Sequence, residues 1–180
     1  MEIIETALPG LLIVQPKVFA DDRGYFMETF RSDLFEKFGI DLNFVQDNES
    51  KSKANVLRGL HFQLPPFAQG KLVRVISGAV LDVAVDIRRS SPTFGKWVAV
   101  EITAENKKQM LIPPGFAHGF LTLTDDTIFA YKCTNYYDKS SERSIRWNDP
   151  EIGIEWNAID PVLSAKDMEA PLLADSAELF

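Results

Sequence analysis

Between residues 56 and 134 the chain is a succession of short apolar runs, each closed by glycine, proline or aspartate. Residues 71–76 lead through Ser77-Gly78 into 80–87, and 97–103 follows. Residues 109–112 stop at Pro113-Pro114-Gly115, and 116–124 and 127–134 end the series. These runs are short for helices and alternate with a period of two, so they read as strands. Leu81, Val83, Val85 and Ile87 share one face of their run, with Asp82 and Asp86 on the other. Val98, Val100 and Ile102 point inward, and Phe129, Tyr131 and Cys133 share a face. Many short strands with hardly any helix between them predict an all-β antiparallel sandwich or barrel of jelly-roll type, with a few short peripheral helices.

The flanks extend this pattern. Residues 11–14 end at a proline two positions on, and Val18-Phe19 runs into the turn Asp21-Asp22-Arg23-Gly24, which predicts two further strands. Residues 25–30 read as another, with Phe26, Glu28 and Phe30 on one face. Asp33 is expected to cap a short helix, with Glu36 three residues on, Leu34, Phe35 and Phe38 buried, and Gly39 ending it. Residues 44–48 read as a strand that enters a polar surface loop over 49–53. Beyond Tyr136-Tyr137-Asp138 the alternation fades, and residues 140–180 are expected as loops and short helical pieces packed by their tryptophans and leucines. No linker divides the chain, so a single domain over 1–180 is expected.

Composition removes several function classes. A net charge of −7 speaks against a nucleic-acid partner, which needs clustered Lys and Arg, although a few arginines converging in a pocket still suit a small anion. With 46% hydrophobic residues spread in short runs, no membrane span is expected. Met1-Glu2-Ile3-Ile4-Glu5 lacks the basic start of a secretion signal, and the one cysteine, Cys133, permits no internal disulfide, so the expected compartment is the reducing cytoplasm. There is no GxGxxG after a strand and no phosphate loop ending in Gly-Lys-Ser/Thr. Cys133 lies in a regular strand and reads as a buried residue rather than a nucleophile. The two histidines, His61 and His118, stand on separate strands without a second histidine two residues on, so a metal site would lack its usual three or four ligands. No cofactor is expected.

What the apolar pattern leaves over is Arg58-Gly59-Leu60-His61-Phe62-Gln63, followed by Lys71. Arginine, histidine, glutamine and lysine interrupt strand-like residues, so this wall faces a polar ligand with an acidic proton or negative charge. Together with 69–75, 82–88, 112–120 and 131–137, this stretch resembles the dTDP-4-dehydrorhamnose 3,5-epimerases, and the likeness runs from the N-terminal strands to Ser164-Ala165-Lys166-Asp167.

The resemblance implies a metal-free, cupin-type jelly-roll homodimer whose N-terminal strands, about residues 1–30, exchange across the dimer. It implies a dTDP-linked 4-keto-6-deoxyhexose as substrate, in the pathway to L-rhamnose. By the same resemblance His61 is the base, Asp167 orients it, Lys71 stabilises the enolate and Tyr131 is the acid on the opposite face. Arg58 and His118 are further polar contacts. Arg23, Phe26, Glu28, Gln46, Asp47, Asn48, Glu142 and Lys166 match substrate-binding positions, with thymine stacked between Phe26 of one subunit and Tyr137 of the other. A metal-dependent cupin enzyme, a non-catalytic sugar-nucleotide module and an epimerase acting at one carbon are the alternatives. The loop at Pro65-Pro66-Phe67 is where the path of the chain is least defined by the resemblance.

Overall fold

Two antiparallel sheets face each other in the computed structural model, which describes residues 1–37, 40 and 43–180. The strands are β1 (Glu2–Glu5), β2 (Leu12–Gln15), β3 (Val18–Asp21), β4 (Gly24–Met27), β5 (Gln46–Ser52), β6 (Leu57–Gln63), β7 (Lys71–Ser77), β8 (Ala79–Asp86), β9 (Trp97–Thr103), β10 (Gln109–Ile112), β11 (Phe116–Thr122), β12 (Thr127–Cys133) and β13 (Glu142–Ser144). Two short helices join them, α1 (Ser32–Glu36) and α2 (Ala165–Met168). One sheet runs β1-β2-β10-β7-β12-β5 and the other β13-β6-β11-β8-β9, while β3 and β4 form a separate hairpin. This is the all-β sandwich expected from the alternation, in the cupin-like form that the resemblance implies.

The core between the sheets draws on both. Val73, Val75, Met110, Ile112 and Phe129 come from the six-stranded sheet; Val80, Ala84, Ile102, Phe116 and Phe120 come from the five-stranded one. The stacked pair Phe120–Phe129, with ring centroids 4.1 Å apart, ties the two layers together. The opposite face of β8, carrying Val83 and Val85 and continued by Ile87 just beyond the strand, is also buried, because the C-terminal segment lays Ile145, Ile152, Trp156 and Leu173 over it. Both faces of β8 are therefore interior, and Asp82 points between the sheets rather than to water.

Three local expectations are corrected. Arg31, not Asp33, is the N-cap of α1, and it makes no side-chain cap. Its guanidinium takes the Asp33 carboxylate at 2.7 Å, so Asp33 sits inside the first turn, while Phe35 is the buried anchor. Phe38 and Gly39 lie outside the described residues. The strand of 25–30 stops at Met27; Phe30 turns away to pack on Phe35 and Phe44, at 5.5 and 5.0 Å, instead of sharing a face with Phe26. The polar stretch 49–52 is no loop but the second half of β5, paired along its length with β12. Its residues are polar on both sides for two reasons: one side faces a cleft, and charges suit an edge strand that must not pair further.

The alternation of β6 breaks once, and the break shapes the site. Leu57, Leu60 and Phe62 belong to the outer cluster, whereas Arg58 and His61 line the inner cleft. Two residues three apart share a strand face only if the pleat slips between them. Gly59 provides the slip, with φ of 140° and so close an approach to β11 that a Cβ there would lie 2.5 Å from Gly119 Cα. The register with β11 shifts at the same place, between His118 and Phe120.

Candidate active site

The slipped strand brings His61 directly opposite His118 on β11. Lys71 opens β7 and pairs with Cys133 of β12, which places Tyr131, two residues back, on the same inward face. The fourth contribution comes from the far end of the chain. Leu57 N–H donates to Val162 and Val162 N–H to Asn55, at 3.0 and 2.8 Å, fastening the C-terminal segment beside the start of β6. Ser164 then starts α2, its Oγ accepting from Asp167 N–H at 3.2 Å and donating to Asp167 Oδ2 at 2.8 Å. That reciprocal cap leaves Asp167 Oδ1 to hold His61 Nε2 at 2.6 Å.

These groups wall a cleft of about 530 Å³ that also takes in Arg58, His118 and Ser50. A second hollow of about 300 Å³ adjoins it, lined by Gln46, Asn48, Gln63, Tyr137 and Glu142. His61, Lys71 and Tyr131 border both. The electrostatics of the cleft follow from burial. Burial pushes the Tyr131 phenol up, against the pull of Arg58, so it remains a proton donor. Burial pulls Lys71 down, opposed by Cys133, Asp82 and Glu142. Burial likewise lowers His118, although Asp82 bonds its Nε2 at 2.8 Å. Asp167 is pushed up by burial, but hydrogen bonds from His61 and Ser164 outweigh this and hold its carboxyl below the usual range.

Of the residues singled out in the sequence, His61, Asp167, Lys71, Tyr131, Arg58 and His118 converge on the larger cleft, and Gln46, Asn48, Tyr137 and Glu142 on the smaller. Lys166 pairs with Glu142 at its edge, and the Tyr137 hydroxyl donates to the same carboxylate at 3.1 Å. Asp47 points to the other side of β5, where Lys132 pairs with it at 2.9 Å. Arg23 and Phe26 stand on the β3–β4 hairpin and do not reach the cleft of their own chain. Arg23 is bound to Asp21 at 2.6 Å, and Phe26 is 67% exposed. Glu28 lies near Arg31, at 3.5 Å.

Ser164, Ser50 and Asp82 received no role in the sequence reading, and Gln63 only a place in the ligand-facing wall. Ser164 carries the one signal that could have found it, a serine three residues before an acid. Gln63 is buried and knits three segments: its amide donates to the carbonyls of Phe67 and Tyr136, at 2.6 and 3.1 Å, and its Oε1 accepts from Asp138 N–H at 2.8 Å. These bonds, with Asn135 donating to Pro66 O at 3.0 Å, define the path of the loop after β6. Ser50 and Asp82 each leave a buried oxygen without a partner among the described residues. Among those residues no three His, Cys, Asp or Glu side chains gather as a metal-ligand set, and each histidine bonds a carboxylate.

Known proteins resemble this chain along nearly its whole length. Residues 5–175 match the family model for dTDP-4-dehydrorhamnose 3,5-epimerase. The chain belongs to the dTDP-4-dehydrorhamnose 3,5-epimerase family. One member, from Salmonella typhimurium, is 61% identical over 175 residues, covering 96% of each chain. The crystal structure of the dTDP-6-deoxy-D-glucose-3,5-epimerase of Legionella pneumophila in complex with dTDP-4-keto-L-rhamnose superposes with a TM-score of 0.92. That pair is 51% identical and covers 96% of this chain and 93% of that one. A 3'-monoepimerase from Streptomyces bikiniensis, solved with dTDP-quinovose, has a TM-score of 0.90 at 38% identity, over 95% of this chain and 87% of its own. Among the described residues no helix is long and apolar enough to cross a membrane.

Proposed function

We propose that this chain inverts C3 and C5 of dTDP-4-dehydro-6-deoxy-D-glucose, giving dTDP-4-dehydro-L-rhamnose for L-rhamnose synthesis. The observation that carries the reading is one cleft walled by the His61–Asp167 pair, Lys71 and Tyr131. Both carbons flank the C4 ketone, so their hydrogens are acidic once the ketone oxygen is stabilised. With Nε2 donating to Asp167, Nδ1 of His61 carries the lone pair that takes the carbon-bound proton. The electron pair moves to the C4 oxygen, beside the Lys71 ammonium. Tyr131 delivers its phenolic proton to the opposite face of the carbon, and Arg58 steadies the phenolate left behind. His61 then loses its proton to solvent and Tyr131 regains one, which resets the pair for the second carbon.

The substrate's nucleotide would leave the cleft through the smaller hollow, over Gln46, Asn48 and Tyr137. Its other contacts, Arg23, Phe26 and Glu28, would come from a second subunit. Support for a homodimer lies in the β3–β4 hairpin, whose eight strand residues are exposed except for a half-buried Met27. β1 and β2, by contrast, are built into the chain's own sheet. A reducing cytoplasm suits a nucleotide-sugar enzyme whose one cysteine is buried and unpaired. Inversion at one carbon is the second reading, favoured by the likeness to the Streptomyces bikiniensis 3'-monoepimerase.

Proton NMR of the purified protein with the dTDP-4-keto sugar in heavy water tests both. The double reaction gives deuterium at C3 and C5 together with the L-configured product. Exchange at C3 alone would replace it by the second reading, and no exchange at either carbon would remove both.

A further inference from the structure

Asp82 has no step in the reaction above, yet it is fully buried, behind His118 of the cleft wall. It stands on β8 on the face that sends Val80 and Ala84 between the sheets, and Lys71 stands on β7 on the face that sends Val73 and Val75 into the same space. Oδ1 of Asp82 holds His118 Nε2 at 2.8 Å, while Oδ2 is buried without a hydrogen-bond partner among the described residues. A carboxylate left half-satisfied inside a core is unfavourable, and an apolar residue would suit this strand position better. The charge therefore answers to the cleft rather than to the core.

We propose that Asp82 is a positioning residue for the reaction proposed above, on which this inference rests: its charge keeps Lys71 an ammonium, and its Oδ1 fixes His118 so that Nδ1 meets the substrate. Lys71 is influenced by the Cys133 thiol from β12, Asp82 from β8, Glu142 from β13 and Lys166 from α2, and it shares the cleft wall with His61, His118 and Tyr131. Burial keeps the Cys133 thiol protonated. Glu142 is already shared by Lys166 and Tyr137. Asp82 is the one facing acid with an oxygen that no other described group takes, so it offsets the burial that drives Lys71 toward a neutral amine. A neutral amine would stabilise an enolate far less. His118 is faced by Asp82, Lys71 and His61, and burial together with those two bases favours its neutral ring. Its Nε2–H then donates to Asp82 and its Nδ1 accepts from a sugar hydroxyl.

Asp82→Asn preserves size and removes the charge. The measurement is kcat against pH, with the dTDP-4-keto sugar, for parent and variant. The high-pH limb of kcat is expected to move to lower pH by about one to three pH units, the effect of withdrawing one opposite charge from a buried lysine. A purely structural aspartate would lower kcat evenly and leave that limb in place, and an unmoved limb in an active parent overturns this inference alone. An inactive parent overturns the reaction and the inference together. Should Asp82→Asn not fold, parent protein labelled with 15Nζ-lysine carries the test, with Lys71 assigned through Lys71→Arg. An ammonium signal at neutral pH supports the proposal, and a neutral amine there overturns it.

Discussion

His61 and His118 stand opposite each other on neighbouring strands and bond through the same ring nitrogen to carboxylates, yet their exposures differ: the His61 side chain is 29% exposed and that of His118 8%. A base must reload through solvent between turnovers. Of the two, His61 is the more accessible, as the proposed base requires, whereas the more enclosed His118 suits the fixed contact proposed for it.

Replacing His61 and Tyr131 therefore separates the two faces of the reaction. His61→Asn removes the base, and both solvent exchange and product formation are expected to fall about a hundred- to ten-thousand-fold. Tyr131→Phe keeps the ring but deletes the donor, so His61 can remove a proton and return a deuteron to the same face. Exchange should then outrun inversion in heavy-water NMR; an L-sugar formed at the parent rate by Tyr131→Phe would assign the acid elsewhere.

Acid sensitivity should trace to Asp86 as well as to the cleft. Burial raises the Asp86 carboxyl, but Arg88, Ser91 and Thr93, at 2.8, 2.6 and 2.6 Å, hold it far below the usual carboxylate range. The folded carboxyl binds its proton less tightly than the unfolded one. Its contribution is thus complete above the unfolded value, near 3.9, and disappears as pH falls through the lower folded value. Asp86→Ala is expected to cost roughly 3 kcal/mol at neutral pH, the low end for breaking a buried pair because Arg88 can reach water. The deficit should shrink in denaturant melts taken below about pH 4; a deficit that does not change with pH would assign it to packing.

Chelation should leave turnover intact. The chemistry is assigned to side chains, with both histidines held by carboxylates. Activity that vanishes after exhaustive chelation and returns with one particular metal would rule the metal-free mechanism out.

Phe26→Ala tests the hairpin. An exposed phenylalanine contributes little to the fold of its own chain, so the melting temperature should move little while the KM for the nucleotide sugar rises at least several-fold. Sedimentation should find a dimer in both proteins. A fully active parent monomer would contradict the shared site.

The sandwich was legible because β7 to β12 are short apolar runs whose turns carry Ser-Gly, Pro-Gly or Asp. The second half of β5 was not: an edge strand beside a polar cleft lacks the apolar face by which strands are recognised. The inward set His61, Lys71 and Tyr131 could be placed on strands, but Asp167 could be joined to them only by resemblance, since 106 positions separate it from His61. The slip at Gly59 was hidden as well, because a glycine between an arginine and a leucine does not announce a change of face.

That long separation bears on how the molecule matures. Asp167 docks only when the C-terminal segment has covered the outer face of β8, so a chain whose sandwich has formed but whose wrap is still loose would hold His61 without its anchor. Turnover then becomes a gauge of finished folding. In a refolding time course, catalysis should lag behind the far-ultraviolet strand signal and rise together with the burial of Trp156.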